Sequence, residues 1–334
     1  MGTKDTKGKE YLSDNKRFAD LCNVVLFDGE QVVKAEYLVE KDSTEVLSVF
    51  GTTKKEIQQQ KWRDLLKSTI IKTYDKMTVV LIGIENQAEI HYAMPVRTLI
   101  YDALNYGSQV KEASKQHKEK KDISTSAEFL SGFQKTDRLT PVVTITIYWG
   151  TEEWDGATSL HEMFEKEIDT RLLKYIPNCE IALITPNTVK DFSKFKTPLG
   201  DVLELIKKST DKKVFYDFIM ENPHFKNVDN ETMAAINVFT GMNIPVNTKK
   251  EGTDMCKALE DLKLEYIEQG IERGIEQGIE RGIEQGIEQG IEQGIKQGIK
   301  KSIKNMLQKG RTPEQISEFC GYSIEDILAV KQEL

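Results

Sequence analysis

Apolar positions along the chain first recur at helical spacing and then at strand spacing. Between residues 14 and 26 they recur every three or four positions behind a Ser-Asp cap, which predicts a first helix. Two β-rich runs follow at 65–73 and 78–85, and the short polar segment between them predicts an antiparallel hairpin. Residues 1–12 are polar, and we expect them to be loosely ordered.

The pattern after the hairpin predicts a helix, a basic loop and a buried strand. Pro95 opens a helical pattern that continues to Val110, and the lysine-rich stretch 111–121 is expected to be a loop. The run 141–149 is dominated by β-branched and aromatic residues, which is typical of a buried strand. With a weak strand pattern at 32–47, the order becomes helix, possible strand, strand, strand, helix, strand.

Residues 151–265 have a mainly helical pattern and contain no motif of known chemistry. The apolar spacing predicts four helices and one strand in this region. The helices are expected near 159–175, 198–209, 211–221 and 230–239, and the strand at 180–185.

A four-residue repeat, Ile-Glu-Gln-Gly with Arg or Lys variants, fills residues 266–303. Four residues advance a helix by about 400°, so the isoleucine stripe drifts by about 40° per unit and does not form a heptad coiled coil. Eight helix-interior glycines lower helix stability by about 7 kcal/mol relative to alanine, so the isolated segment is expected to fray. It is either a spacer or a helix that orders against another chain, which would make a homo-oligomer.

The last segment, 304–334, has the pattern of a small helical hairpin. Its second helix carries Glu325, Asp326 and Glu333 against Lys331 alone, which favours a helical cap or assembly element over a DNA reader. The chain is thus divided at 13–150, 151–265, 266–303 and 304–334.

Composition narrows the class of protein. The 334 residues include 46 Lys+Arg and 54 Asp+Glu, for a net charge of −8, which excludes a uniformly basic nucleic-acid coat. The first 150 residues hold 22 basic and 21 acidic residues, so contact with a polyanion is best placed there. Four scattered cysteines suggest neither disulfides nor a thiolate zinc site, and no apolar run approaches the roughly 20 residues of a membrane span. A cytoplasmic protein with no membrane contact is expected.

Common catalytic motifs are absent, and the predicted hairpin is the remaining candidate for chemistry. The sequence contains no phosphate loop, dinucleotide fingerprint, nucleophile elbow or paired metal histidines. If the hairpin turn is centred between Asp75 and Lys76, paired residue numbers sum to about 151, so Asp64 lies opposite Gln87. Glu85 and Gln87 then point to the same face of the hairpin.

Two carboxylates converging at the end of an apolar strand suggest a divalent cation. They would repel one another unless a hard cation lay between them, and Mg²⁺ is the cation that suits oxygen ligands. The alternative is that Asp64 and Glu85 are solvated ends of an exposed hairpin.

Four stretches around this hairpin resemble the Rpn family of recombination-promoting nucleases and putative transposases, within the PD-(D/E)XK nuclease superfamily. They are Arg63-Asp64-Leu65-Leu66, Leu81-Ile82-Gly83-Ile84-Glu85-Asn86-Gln87, His91-Tyr92-Ala93-Met94-Pro95-Val96-Arg97 and Tyr101-Asp102-Ala103-Leu104. The resemblance implies an α/β fold with a restriction-endonuclease-like core at 13–150, namely a mixed central sheet flanked by helices. It also implies a helical extension and a helical, low-complexity C-terminal tail.

The resemblance also implies roles for individual residues. Asp64 matches the metal-binding aspartate and Glu85 the motif glutamate, and Gln87 takes the place of the lysine that would orient the attacking water. The Asn86 carbonyl is a further metal ligand on this reading. Asp20 on the first helix is the candidate for completing the Mg²⁺ site, with Asp14 a weaker one.

Basic residues downstream of the motif are candidates for DNA contact. Arg97 and Tyr101 are four apart on a predicted helix and could reach the scissile phosphate, although an exposed arginine stacked on a tyrosine is an equal alternative. Lys111 and Lys115 could attract phosphates, or could belong to an ordinary solvated loop. The resemblance implies a Mg²⁺-dependent DNA endonuclease that promotes recombination or transposition. The alternative is an inactive relative that acts as a DNA-binding or oligomerisation module.

Overall fold

A computed structural model describes residues 2–41, 44–46, 60–62, 64–73, 76–246 and 252–334. It divides the chain into two compact units, Met1–Leu259 and Glu260–Leu334. The strands are β1 (Val39–Glu40), β2 (Thr44–Val46), β3 (Gln60–Trp62), β4 (Leu65–Thr73), β5 (Lys76–Gln87), β6 (Val142–Tyr148) and β7 (Ala182–Ile184). The helices are α1 (Thr3–Ser13), α2 (Asn15–Phe27), α3 (Met94–Lys120), α4 (Ser126–Ser131), α5 (Thr170–Leu173), α6 (Leu199–Lys208), α7 (Lys212–Glu221), α8 (Asn230–Thr240), α9 (Met255–Gln308), α10 (Pro313–Cys320) and α11 (Ile324–Gln332).

The first unit is built on a mixed sheet of five strands in the order β1-β4-β5-β6-β7. Strand β4 is antiparallel to β1 and β5, whereas β5, β6 and β7 run parallel. Ile82 and Ile84 of β5 point to the face covered by α2, where they join one apolar core with Phe18. Helix α3 covers the other face, where Asp102 accepts a hydrogen bond from Thr144 of β6 at 2.8 Å. The predicted α/β class, a mixed sheet flanked by helices, is confirmed.

The hairpin forms as predicted, but its register differs by one position at the turn. Leu65 lies opposite Ile84 and Thr73 opposite Lys76, so paired numbers sum to 149 and the expected pairing of Asp64 with Gln87 is wrong. Continued by one residue, this register brings Asp64 opposite Glu85. Because both sums are odd, every side chain keeps the predicted face. Residues 74 and 75 of the turn lie outside the described residues.

The segment 1–12, expected to be loose, instead forms most of α1. Tyr11 and Leu12 are buried in the core, and the Tyr11 hydroxyl is hydrogen-bonded to the hydroxyl of Thr232 on α8 at 3.1 Å. The helix is therefore stabilised by partners far along the chain, which a local pattern of polar residues does not reveal. Helix α2 was predicted correctly, and Asp14 caps it by accepting hydrogen bonds from the amides of Lys16 and Arg17.

The stretch 111–121, predicted as a loop, is the second half of α3. Lysine is a good helix former, and positive charge is favourable in the last turns of a helix, so the charged pattern does not end it. The helix ends at Lys120, and Lys121 caps it in the left-handed conformation with φ 54°. Lys111 and Lys115 consequently lie on a helix rather than in a loop.

Three of the four helices predicted in 151–265 are present as α6, α7 and α8, and β7 lies within the predicted strand. The predicted helix near 159–175 is wrong: this stretch contains one 3₁₀ turn (His161–Met163) and the four-residue α5. Ser159 bridges to Glu180, and the Glu162 carboxylate accepts a 2.7 Å hydrogen bond from the amide of Thr158. The bridge ties the segment to the residues just before β7, and the hydrogen bond holds the segment in a local turn.

The second unit consists of most of α9 with α10 and α11. Helix α9 continues through the whole repeat, whose glycines leave the backbone hydrogen bonds intact and whose Glu and Gln residues are good helix formers. The repeat isoleucines from Ile271 to Ile295 are each 57–58% exposed. Helices α10 and α11 pack together, and Ile303, Ile316, Ile327 and Val330 form the apolar core of this segment. Among the described helices, none combines the length and the apolarity that crossing a membrane requires.

Candidate active site

Two carboxylates are buried where the hairpin of β4 and β5 ends. Glu85 is fully buried and Asp64 is 3% exposed, at a position one residue before the first β4 pair. Directly opposite residues of antiparallel strands share a face, so both side chains belong to the face that α3 covers. The hairpin thus brings together two acidic residues that are 21 positions apart in the sequence.

Asp64 is held by the strand that carries Glu85. Its Oδ2 accepts a 2.7 Å hydrogen bond from the backbone amide of Asn86, while its Oδ1 has no hydrogen-bond partner in the described part of the chain. Burial raises the pKa of Asp64 above its usual value, and the Asn86 hydrogen bonds and the charges of Arg97 and Lys9 only partly oppose this. Asp64 is therefore a carboxyl group whose charged form is costly in the folded protein.

Arg97, in the first turn of α3, reaches Glu85. Its guanidinium lies 2.9 Å from Glu85 Oε2, and 30% of the arginine side chain is exposed. The same guanidinium lies 5.6 Å from the ring centroid of Tyr101, one turn further along the helix. Burial, followed by the charge of Glu85, raises the pKa of Tyr101. Arg97 and Tyr101, predicted as a pair, are thus both brought to the carboxylates.

The two amides of the motif lie in different surroundings. Gln87 is 8% exposed and is on the same side of β5 as Glu85, by the alternation of strand side chains. The Asn86 side chain is on the opposite side, where its Oδ1 accepts a 2.9 Å hydrogen bond from Trp149 Nε1. The side-chain oxygen of Asn86 is therefore occupied by the Trp149 indole, and the backbone amide of Asn86 binds Asp64.

Helix α1 supports the end of β5, which the sequence pattern did not predict. The Asp5 carboxylate accepts a 2.7 Å hydrogen bond from the amide of Ala88, just past the end of β5. One turn later, Gly8 packs against the hydrogen-bonded pair of Asn86 and Trp149. A glycine in an otherwise polar helix was the available signal, since glycine in a helix often marks a close approach.

Substituting Gly8 by alanine is expected to loosen this support. The new β-carbon would lie 2.5 Å from Asn86 Oδ1 and 2.6 Å from Trp149 Nε1, so these side chains must shift. We expect Gly8→Ala to lower the free energy of unfolding in urea by about 1–3 kcal/mol. Gly107→Ala on α3 is the matched control, because nothing lies within 4 Å of the added carbon. It should instead raise stability by about 0.5–1 kcal/mol, and equal effects would contradict the packing argument.

Asp20, predicted to complete a metal site, lies elsewhere. Its carboxylate accepts hydrogen bonds from the amides of Lys196 and Thr197 and from the Thr197 hydroxyl at 2.6 Å. These bonds satisfy a buried charge and hold the segment before α6. The structure therefore does not bring Asp20 to the carboxylates of the hairpin. Lys111 and Lys115 are exposed on α3, about 21 and 27 Å along the helix axis from Arg97.

The carboxylates of Asp64 and Glu85 can be compared with the ligands that Mg²⁺ usually takes in proteins. Among the residues that the structure describes, no group of three or more His, Cys, Asp or Glu is arranged to hold a metal ion. Asp64 and Glu85 nevertheless supply two buried carboxylates, one of them with a free Oδ1, and Mg²⁺ is commonly held by one or two carboxylates with several waters. The residues fit such an ion, provided that it competes with Arg97 for Glu85.

A family model described as putative transposase, YhgA-like, matches residues 59–232, which are 174 of the 334 residues. This range includes β4, β5, α3 and the buried carboxylates. The chain therefore belongs to this family of putative transposases, the Rpn family, as the resemblance predicted. Membership implies DNA as the partner. No curated protein and no solved structure matches the chain.

Proposed function

We propose that this protein is a Mg²⁺-dependent DNA endonuclease that hydrolyses phosphodiester bonds during recombination or transposition. The observation that carries the proposal is the pair of buried carboxylates, Asp64 and Glu85, that the hairpin register places opposite one another. Burying two acidic groups side by side costs free energy, and perturbed carboxyl groups of this kind cluster at functional sites. Membership in a transposase family supplies the substrate class.

Each side chain has a role that its position supports. Asp64 and Glu85 would hold the metal ion, which when bound would polarise a phosphate oxygen and acidify a water. Gln87 would orient the attacking water by a hydrogen bond, in place of the charged lysine of related nucleases. Arg97 would leave Glu85 Oε2 for a non-bridging phosphate oxygen, an exchange that its partial exposure permits.

One observation favours a second function. The Arg97 guanidinium already neutralises the charge of Glu85, which is the charge that a bound metal ion would otherwise neutralise. If this ion pair is permanent, the protein is a catalytically inactive nuclease fold that binds DNA or assembles other proteins. Metal-dependent cleavage separates the two functions.

The test is nicking of a supercoiled plasmid by the full-length protein and by Asp64→Asn. We expect nicking with Mg²⁺, none with EDTA, and a loss of at least about a hundredfold in Asp64→Asn. The variant should remain folded, because asparagine keeps an acceptor for the Asn86 amide while it removes a charge that is costly to bury.

The pH dependence of stability distinguishes this loss from unfolding. The folded-state pKa of Asp64 is raised, so the charged form costs stability as pH rises above the usual value of 3.8. Asp64→Asn should therefore unfold in urea at the same or a higher concentration than the wild type at pH 7, with the difference shrinking below about pH 4. Equal Mg²⁺-dependent nicking by both proteins would reject the proposed site.

A further inference from the structure

The C-terminal half of α3 carries a row of lysines close to the angular position of Arg97. Each residue advances an α-helix by about 100°, so Lys115 lies five full turns after Arg97 and at the same angle around the helix axis. Lys111 and Lys118 lie about 40° and 60° away from that angle, both in the same direction. All three lysines are exposed. We call Lys111, Lys115 and Lys118 the lysine row.

The lysine row faces away from the sheet. The buried residues Thr98, Tyr101 and Asn105 mark the side of α3 that faces the sheet, and they lie about 40–100° around the helix from Arg97, in the direction opposite to Lys111 and Lys118. Glu112 and Glu119 border the row, and Glu112 accepts a hydrogen bond from Gln116 at 3.1 Å. The row itself holds three lysines against these two glutamates. The row is thus an exposed cationic surface that begins about 21 Å along α3 from Arg97.

An exposed apolar pair is fixed beside this row. Phe129 and Leu130 of α4 are 82% and 88% exposed, although burying such side chains would stabilise the protein by about 1.5–3 kcal/mol each. Gly132, which ends α4 at φ 67°, packs against Ser114 of α3, and a β-carbon there would lie 2.2 Å from Ser114 Oγ. Ser114 is about 40–60° around the helix from Lys111 and Lys118.

The segment that carries the apolar pair is anchored on both sides. His117 of α3 lies between two carboxylates, with Nδ1 at 2.7 Å from Asp122 and Nε2 at 2.9 Å from Asp137, and these contacts raise the pKa of His117. Glu128 closes a capping box with Thr125 at the start of α4. Phe129 and Leu130 are therefore held in place by ordered structure rather than exposed on a loose loop.

We propose that the lysine row and the Phe129–Leu130 pair form one docking surface for the duplex DNA that flanks the bond to be cut. The proposal rests on the proposed function for the position of that bond. The lysines would neutralise phosphates, and the apolar pair would pack against the sugars or bases of the adjacent groove. The 21 and 27 Å from Arg97 to Lys111 and Lys115 correspond to about 6–8 base pairs on one side of the bond.

Salt dependence of binding separates the two parts of this surface. Full-length protein is titrated into a fluorescein-labelled duplex of about 30 base pairs, in EDTA so that nothing is cut, between about 0.05 and 0.2 M NaCl. Lys111→Gln/Lys115→Gln should reduce the slope of log K against log [NaCl] by about 2, because two phosphate contacts are lost. Phe129→Ser/Leu130→Ser should weaken binding by about tenfold at every salt concentration and leave the slope unchanged.

Lys120→Gln is the matched control, since Lys120 is an exposed lysine on the same helix, about 140° around from Arg97. Its slope should equal that of the wild type. An unchanged slope in the double lysine variant, or an equal change in Lys120→Gln, would overturn the proposal. So would a serine variant that binds DNA normally and has a lower sedimentation mass, since the pair would then join two copies of the chain. This experiment measures binding and not cleavage. If the wild type binds DNA as expected but does not nick plasmid in the separate Mg²⁺ assay, only the endonuclease assignment is contradicted.

Discussion

Asp64→Asn/Glu85→Gln is expected to nick supercoiled plasmid about a thousandfold more slowly than the wild type in Mg²⁺. Both substitutions keep the shape and the hydrogen-bonding capacity of the side chains and remove only the charges that a cation needs. Groups that hold one ion act as a unit, so each single variant should lose nearly as much activity as the pair. The measurement is the initial nicking rate at saturating Mg²⁺, with the metal concentration varied to detect weakened binding.

Glu89→Gln is the control for this experiment. Glu89 is two residues beyond the end of β5 and is exposed, so its loss changes the net charge near the site without touching the buried pair. It should nick at the wild-type rate. Strictly additive effects of the two single substitutions would argue against a shared ion, and a double variant that nicks normally would show that cleavage occurs elsewhere.

Arg97→Gln is expected to lower the free energy of unfolding by about 3 kcal/mol in metal-free buffer at pH 7. Glu85 is fully buried, and the substitution removes the guanidinium that neutralises it at 2.9 Å. This loss of stability is at the lower end of the range for removing one partner of a buried ion pair, because 30% of the Arg97 side chain is exposed. Arg97→Gln/Glu85→Gln should recover most of the loss, since it removes the buried charge together with its partner. Urea denaturation of the wild type, Arg97→Gln, Glu85→Gln and the double variant gives the coupling free energy between the two side chains.

The surface ion pair of Lys194 and Asp28 provides the comparison, because its aspartate is 90% exposed. Lys194→Gln should cost no more than about 1 kcal/mol. Added Mg²⁺ should restore more stability to Arg97→Gln than to the wild type if the ion and the arginine compete for Glu85. A stability loss in Arg97→Gln as small as that in Lys194→Gln would show that this ion pair does not compensate the buried carboxylate.

The hairpin was predictable because its information is local. Strand alternation and the polar turn predicted β4 and β5, and the face shared by Glu85 and Gln87 followed from the period of two. The exact register was not predictable, since it depends on which residues form the turn between Thr73 and Lys76. The predicted face of Asp64 was nevertheless correct. The sums of paired residue numbers, about 151 as predicted and 149 as observed, differ by an even number, so each side chain stays on the same face of the sheet.

What the sequence did not reveal depends on distant partners. Nothing local to Asp20 indicates that it binds the amides of residues 196 and 197. Arg97 was predicted to contact phosphate, but its ion pair with Glu85 depends on how α3 packs across β5. The lysines of 111–121 were assigned to a loop because charge runs are usually solvated, whereas a solvated face of a helix has the same composition.

The contacts that link the ends of the first unit limit how it can be divided. The Trp149 ring stacks on Phe239 of α8 with centroids 4.2 Å apart, and its indole nitrogen binds Asn86 beside the carboxylates. The Tyr11 hydroxyl is bonded to Thr232 of the same helix. A fragment truncated after residue 150 would therefore lose the packing that stabilises strand β5, and a shortened form of the first unit must keep α1 and α8 together.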